Sequence, residues 1–144
     1  MNNTLEKTLT EGPVIEVAAG IIWRESLFLA VQRTKSGPFE SLWEFPGGKC
    51  EANERPEEAL VRELSEELGI KVQEHALWQT IEHDYHELNY RVRLYFFHVR
   101  AFTGEPCSKE NQILRWLSPQ EALKLEFLPA DRGILTRLNA LHLL

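Results

Sequence analysis

Apolar and polar residues alternate over long stretches of this chain, and in between a helical period takes over. Ile15 to Ile22 and Leu27 to Arg33 are β-rich, and the polar Arg24-Glu25-Ser26 between them reads as a hairpin turn. Lys35 to Ser41, with Gly37-Pro38, reads as a loop. Trp43-Glu44-Phe45 then runs into Pro46-Gly47-Gly48, a backbone breaker. Pro56 suits the first position of a helix, Glu57 and Glu58 its first turn, and Gly69 its C-terminal cap. Leu60, Leu64 and Leu68 form the buried stripe of that helix, with Ala59 and Val61 beside it. Val72 to Tyr85 and Asn89 to Phe102 predict two long strands around a His86-Glu87-Leu88 turn. In the second, Tyr90, Val92, Leu94 and Phe96 alternate with Arg91, Arg93, Tyr95 and Phe97. Both faces are partly apolar, which predicts a central strand covered on both sides. Gln112 to Leu117 is a further short strand. Ser118-Pro119-Gln120-Glu121 is a capping box opening a helix to about Leu125, and a last helix runs from Pro129 towards Leu143. The order β-β-α-β-β-β-α-α predicts one α/β domain over residues 14–144, a mixed sheet between helices. Residues 1–13 read as a flexible polar lead-in.

Composition narrows the class without naming a function. The chain has 144 residues, 43% hydrophobic and 26% charged, as expected of a single soluble domain with a proper core. A formal net charge of −6 argues against broad binding to duplex nucleic acid, though not against a nucleotide, because a bound metal reverses the local charge. Cys50 and Cys107 lack zinc-like spacing and predict free thiols of a reducing compartment. No apolar run reaches transmembrane length, and MNNTLEKTLTEGP has no signal-peptide core. The expectation is a cytoplasmic protein without a membrane partner, acting as a monomer or homodimer.

The chemistry sits on the first helix. Glu63, Glu66 and Glu67 are spaced i, i+3 and i+4, which puts three carboxylates on one side of it. Like charges at that spacing oppose a helix by roughly 0.2–0.5 kcal/mol per pair, and Glu66 and Glu67 also face the negative end of the dipole. Something positive over that side would relieve both penalties, and clustered hard oxygen ligands suit Mg2+ or Mn2+. The wider pattern is Gly48-x5-Glu54-x7-Arg62-Glu63-Leu64-x-Glu66-Glu67-x-Gly69-Ile70. A chance match to its seven fixed identities is on the order of one in 10^8 per start point, so the pattern is a signature.

That pattern resembles the Nudix box at every signature position. The resemblance implies an α/β/α sandwich and Mg2+-dependent hydrolysis of nucleoside diphosphates linked to another group. It assigns Glu63, Glu66, Glu67 and the Gly47 carbonyl to the metal. Arg62 would orient Glu63 or Glu66, and Glu54 would support the box or the metal shell. A diphosphate needs such help, because its oxygens repel a nucleophile until cations neutralise them. Non-catalytic domains of the family are set apart by lost box carboxylates, and none is lost here.

The likeness reaches beyond the box. Trp43-Glu44-Phe45-Pro46-Gly47-Gly48-Lys49 and Val61-Arg62-Glu63-Leu64-Ser65-Glu66-Glu67 resemble the MutT branch, which hydrolyses oxidised nucleoside triphosphates such as 8-oxo-dGTP. Gly104-Glu105-Pro106 and Lys109-Glu110-Asn111-Gln112 resemble it too, which makes Glu110 a candidate base or further metal ligand, against an exposed loop glutamate. Arg33 matches a substrate arginine of that branch, or is an ordinary surface residue. Asp131 stands where the branch uses an asparagine to read the purine edge, or is only the acidic first turn of a helix. An ionised Asp accepts hydrogen bonds and donates none, so pyrimidine triphosphates such as CTP, or dinucleoside polyphosphates, stay open as substrates. Phe45 and Gly48 are candidates for the pocket lining, although packing under the glycines explains Phe45 equally well. His83, His86 and His98 have no ligand spacing and read as core or surface residues.

Overall fold

A computed structural model describes residues 13–142, so the expected lead-in and the end of the last helix at Leu143 lie outside the described residues. The first strand, β1 (Val14–Arg24), is long enough to serve two neighbourhoods. Val14 to Ile22 pair in parallel with Arg91 to Val99 of β6 (Tyr90–Thr103), while Trp23 and Arg24 pair with the start of β2 (Leu27–Gln32). The turn between β1 and β2 is Glu25-Ser26, with Glu25 at φ 58. Beyond β2 lies β3 (Trp43–Glu44), and on the other side β6 separates β1 from the edge strand β5 (Lys71–Tyr85). The main order is therefore β3-β2-β1-β6-β5, with β4 (Gly47–Lys49) against β1 and β7 (Ile113–Leu117) against β2.

Helices cover both faces. On one lies α1 (Pro56–Leu68), whose Ala59, Leu60, Leu64 and Leu68 pack with Ala18, Ile22, Leu29, Val31 and Phe97. On the other lie α2 (Pro119–Ala122) and α3 (Pro129–His142), packed through Ala122, Ile134, Leu135 and Leu138 onto Ala19, Ile21, Phe28, Leu94 and Phe96. Successive side chains of a strand point to opposite faces, so β1 and β6 feed both layers. This is the expected α/β/α sandwich with a mixed sheet, and β6 is central and covered on both sides as its pattern predicts.

Three local expectations need correction. Trp43-Glu44 and Gly47-Lys49 are paired strands rather than a lead-in and a breaker. Gly47 can pair with Ala19 only because it lacks a side chain: a Cβ at its φ of 152 would fall on the Ala18 carbonyl. The helix expected to reach Leu125 stops at Ala122. Lys124 and Leu125 then donate to Glu121 and Ala122 three residues back, and that tight turn lets Glu126 and Leu128 bracket Trp43 with two backbone bonds. The 86–88 turn is a single turn of 3-10 helix. Among the described residues no helix is long and apolar enough to cross a membrane.

Candidate active site

The three helix carboxylates do not share one environment. At about 100° per residue, Glu67, Glu63 and Glu66 stand about 60°, 100° and 160° from the centre of the Leu60/Leu64/Leu68 stripe. Burial follows that order: Glu67 is 5% exposed as a residue, and the side chains of Glu63 and Glu66 are 21% and 59% exposed.

Arg62 collects the outer acids. Its Nε and Nη2 donate to the two oxygens of Glu54 at 2.8 and 2.9 Å, a fork-on-fork pair. Its Nη1 donates to Glu63 at 3.0 Å and to Glu66 at 3.1 Å, and its Nη2 also reaches the Lys49 carbonyl. The Arg62 bonds, reinforced by the Glu51 N–H, hold the Glu54 carboxyl down at about 2. Burial pushes Glu63 up, opposed by Arg62. A Cβ on Gly48 would overlap the Glu63 carboxylate, so that glycine is the gap into which Glu63 fits.

Glu67 points the other way, into a cavity of about 430 Å³, where it accepts the Gly47 N–H at 3.0 Å. Burial pushes its carboxyl up to about 8, aided by Glu44, Glu110 and Glu63 and opposed by the Gly47 bond. Glu110 lines the same cavity, brought there by the end of α1. The N–H groups of Cys107 and Lys109 donate to the Leu68 and Glu67 carbonyls, each at 3.0 Å. These bonds satisfy carbonyls that every helix end leaves open. Gly69, at φ 73, leaves room for the Lys109 side chain that crosses it. One residue further on, Glu110 lines the cavity with Glu67.

At its far end the cavity is lined by Asp131, Tyr85, Tyr90 and Phe39, with Arg33 and Glu44 between the two ends. Asp131 is 3% exposed at the start of α3, and its Oδ2 accepts the Phe45 N–H at 3.4 Å. Burial, with Glu44 nearby, raises its carboxyl well above the ordinary range. Burial thus favours the protonated form of the side chain, which both donates and accepts, over the ionised form, which only accepts. Phe45 is mainly core: its ring stacks on Phe28 at 5.3 Å and meets Phe96 edge-on at 5.6 Å, and only its margin lines the cavity. Arg33 Nη1 donates to Glu44 Oε1 at 3.1 Å. Tyr85 packs on Phe39 at 5.1 Å, and burial raises its hydroxyl to about 12. His98 accepts the Trp23 indole N–H at 2.9 Å and is held neutral by burial, down to about 4, so it is a core residue.

The sequence reading placed Arg33, Phe45, Gly47, Gly48, Glu67, Glu110 and Asp131 at the site, and these line one cavity. Glu54, Arg62, Glu63 and Glu66 form the ion-pair cluster behind Gly48 and Lys49. Glu44, Phe39, Tyr85 and Gln112 also line the cavity and were missed. A charged residue between Trp43 and Phe45 was a signal for Glu44. Phe39, Tyr85 and Gln112 carry none, although the Gln112 Oε1 is buried without a partner.

The donors suit a hard divalent cation in kind: carboxylates and backbone carbonyls, with a deeply buried Glu67 that no cationic side chain pairs among the described residues. They are not yet gathered. Among the described residues no three His, Cys, Asp or Glu groups stand close enough to hold an ion, because Glu63 and Glu66 are turned onto Arg62.

Residues 14–138 match the family model described as the NUDIX domain. The chain is 41% identical over 130 residues to a CTP pyrophosphohydrolase of Escherichia coli K12, covering 90% of this chain and 94% of that protein. It is 35% identical over 129 residues to the 8-oxo-dGTP diphosphatase of the same organism, covering 88% and 98%. Among solved structures, the E. coli ORF135 protein superposes with a TM-score of 0.80 at 38% identity, over 92% of this chain and 93% of that one.

Proposed function

The chain belongs to the NUDIX family of hydrolases, and we propose that it cleaves a nucleoside triphosphate to the monophosphate and pyrophosphate with Mg2+, or Mn2+ in its place. The observation that carries this reading is the shared cavity: the buried Glu67 and the exposed Glu110 at one end, the buried Asp131 among aromatic rings at the other. Glu63, Glu66, Glu67 and the Gly47 carbonyl would hold the metal, Glu110 completing the set or serving as base. Bound there, the ion would neutralise phosphate charge and acidify a water. Water adds to the β-phosphorus, its proton passes to a carboxylate, and the bridging oxygen leaves with the nucleoside monophosphate. Arg62 keeps Glu63 and Glu66 in reserve through its shared Nη1. Arg33 meets the phosphate or sugar, and Asp131 the base edge.

An oxidised purine such as 8-oxo-dGTP is the leading substrate. A pyrimidine triphosphate is the second reading, favoured by the 41% identity to a CTP pyrophosphohydrolase. In the protonated form that burial favours, Asp131 would offer one donor beside one acceptor, which complements both O6/N1–H of guanine and N3/N4–H of cytosine. The net charge of −6 speaks against duplex nucleic acid as partner, the free thiols Cys50 and Cys107 support a cytoplasmic place of action, and we read the chain as a monomer or homodimer. Pyrophosphate release from 8-oxo-dGTP, dGTP, CTP, 5-methyl-dCTP and a dinucleoside polyphosphate, with and without Mg2+, tests the proposal. Ranking by kcat/KM decides between the substrates. No release from any nucleotide, or equal turnover in wild type and Glu63→Gln, would remove it.

A further inference from the structure

Glu44 stands between the two ends of the cavity, where its charge acts on both Glu67 and Asp131. The sheet builds its pairing with Arg33. Glu44 is the register partner of Val31, so Arg33, two residues on, lies diagonally across on the same face. Backbone bonds fix that corner: Arg33 N–H to the Leu42 carbonyl at 3.0 Å, and Ser41 N–H to the Arg33 carbonyl at 2.9 Å. The Glu44 side chain is 18% exposed and that of Arg33 40%, so the acid is the buried partner and the guanidinium the one offered to the cavity. A guanidinium carries five N–H donors in a planar fork. Among the described residues the Arg33 guanidinium donates only to Glu44, through Nη1, and its Cζ lies over the Phe39 ring at 5.9 Å. Its other N–H groups remain for a ligand, and a side chain ordered beforehand loses less freedom when that ligand arrives.

We propose that Glu44 is a positioning residue: it holds the Arg33 guanidinium aimed at the anionic part of the nucleotide and touches no reacting atom itself. The proposal rests on the nucleotide reading above. Two effects of Glu44 on an anionic substrate oppose each other, since its charge repels the substrate while its hydrogen bond orients Arg33. Two substitutions separate them: Glu44→Gln removes the charge and keeps an acceptor, whereas Glu44→Ala removes both.

The experiment measures kcat and KM for the preferred nucleotide at saturating Mg2+, with urea midpoints to verify folding. Glu44→Ala should raise KM about tenfold, the size of one charge-assisted hydrogen bond. Glu44→Gln should leave KM at or below the wild-type value, and kcat should stay within about threefold in both. Arg33→Ala should raise KM to a similar extent, and adding Glu44→Ala to it should raise KM no further, because residues acting through one another are not additive. Equal KM values in the Ala and Gln variants would reduce Glu44 to a bare charge and overturn the proposal. So would multiplying effects of Arg33 and Glu44, or a fall in kcat at unchanged KM. Should Glu44→Ala not fold, a KM for Glu44→Gln raised as far as that of Arg33→Ala overturns it. A wild type without turnover sinks the reading of function instead, so the two failures are told apart.

Discussion

Replacing Glu67 with glutamine should make the metal-free protein more stable while stopping its chemistry. Burial raises the Glu67 carboxyl from 4.5 to about 8, so the folded state holds a proton there that the unfolded chain has already released at pH 7. Where the folded state binds more protons than the unfolded, stability falls as pH rises, here from about pH 4.5 to about pH 8. At about 1.4 kcal/mol per pH unit above the ordinary value, the penalty at pH 7 is about 3 kcal/mol. Glutamine has the same shape, keeps an acceptor for the Gly47 N–H and does not titrate. Urea unfolding in excess EDTA from pH 5 to pH 8 measures the difference. The variant should lead by under about 1 kcal/mol at pH 5 and by about 3 kcal/mol at pH 7. At pH 7 that gap corresponds to a Tm about 10 °C higher. Millimolar Mg2+ should then stabilise the wild type and not the variant, because only a state that binds the ion gains from it. Equal stabilities at pH 7, or a gap that does not widen with pH, would refute the reasoning.

Gly48→Ala places a methyl group on the Glu63 carboxylate and should lower turnover at least about a hundredfold with little change in the far-UV circular dichroism. Gly133→Ala should add about 1 kcal/mol of stability in a urea titration and leave turnover unchanged, since Gly133 is helical and exposed, and no atom lies near its missing Cβ. His98 is ordinarily at 6.5 and about 4 in the folded protein, so its contribution is complete above pH 6.5 and lost as pH falls through 4. That loss amounts to about 3 kcal/mol. His98→Gln, which still accepts from Trp23, should flatten stability between those pH values, and an unaltered acid transition would exclude this role.

The parts of this protein visible in its sequence are those specified locally. Helix α1 is legible because Pro56, a leucine every fourth residue and Gly69 punctuate it within one short segment. The long strands are legible for the same reason, through their alternation. Strands β3 and β4 are two and three residues long and exist through partners far along the chain, Gln32 and Val31 for one and Val17 to Ala19 for the other. No local period could announce them. The carboxylates were visible as a row, but their division into a buried Glu67 and an exposed Glu66 depends on which side the leucine stripe takes. Asp131 was visible by its place in the chain, while the burial that raises its carboxyl depends on the packing around it.

The acidic end of the cavity is built on the layer of α1, and its aromatic end, with Asp131, on α3 and the β5–β6 hairpin across the sheet. The β2–β3 corner with Arg33 and Glu44 joins them, together with Ile15, Val17 and Ala19 of β1. A substitution at Tyr85 or Asp131 is thus made on a different layer from the carboxylates of α1, so the far end can change while that helix keeps its sequence. A lineage built this way can diversify at one end of a groove, with Tyr85 and Asp131 as the positions where a chain of this design would be retargeted.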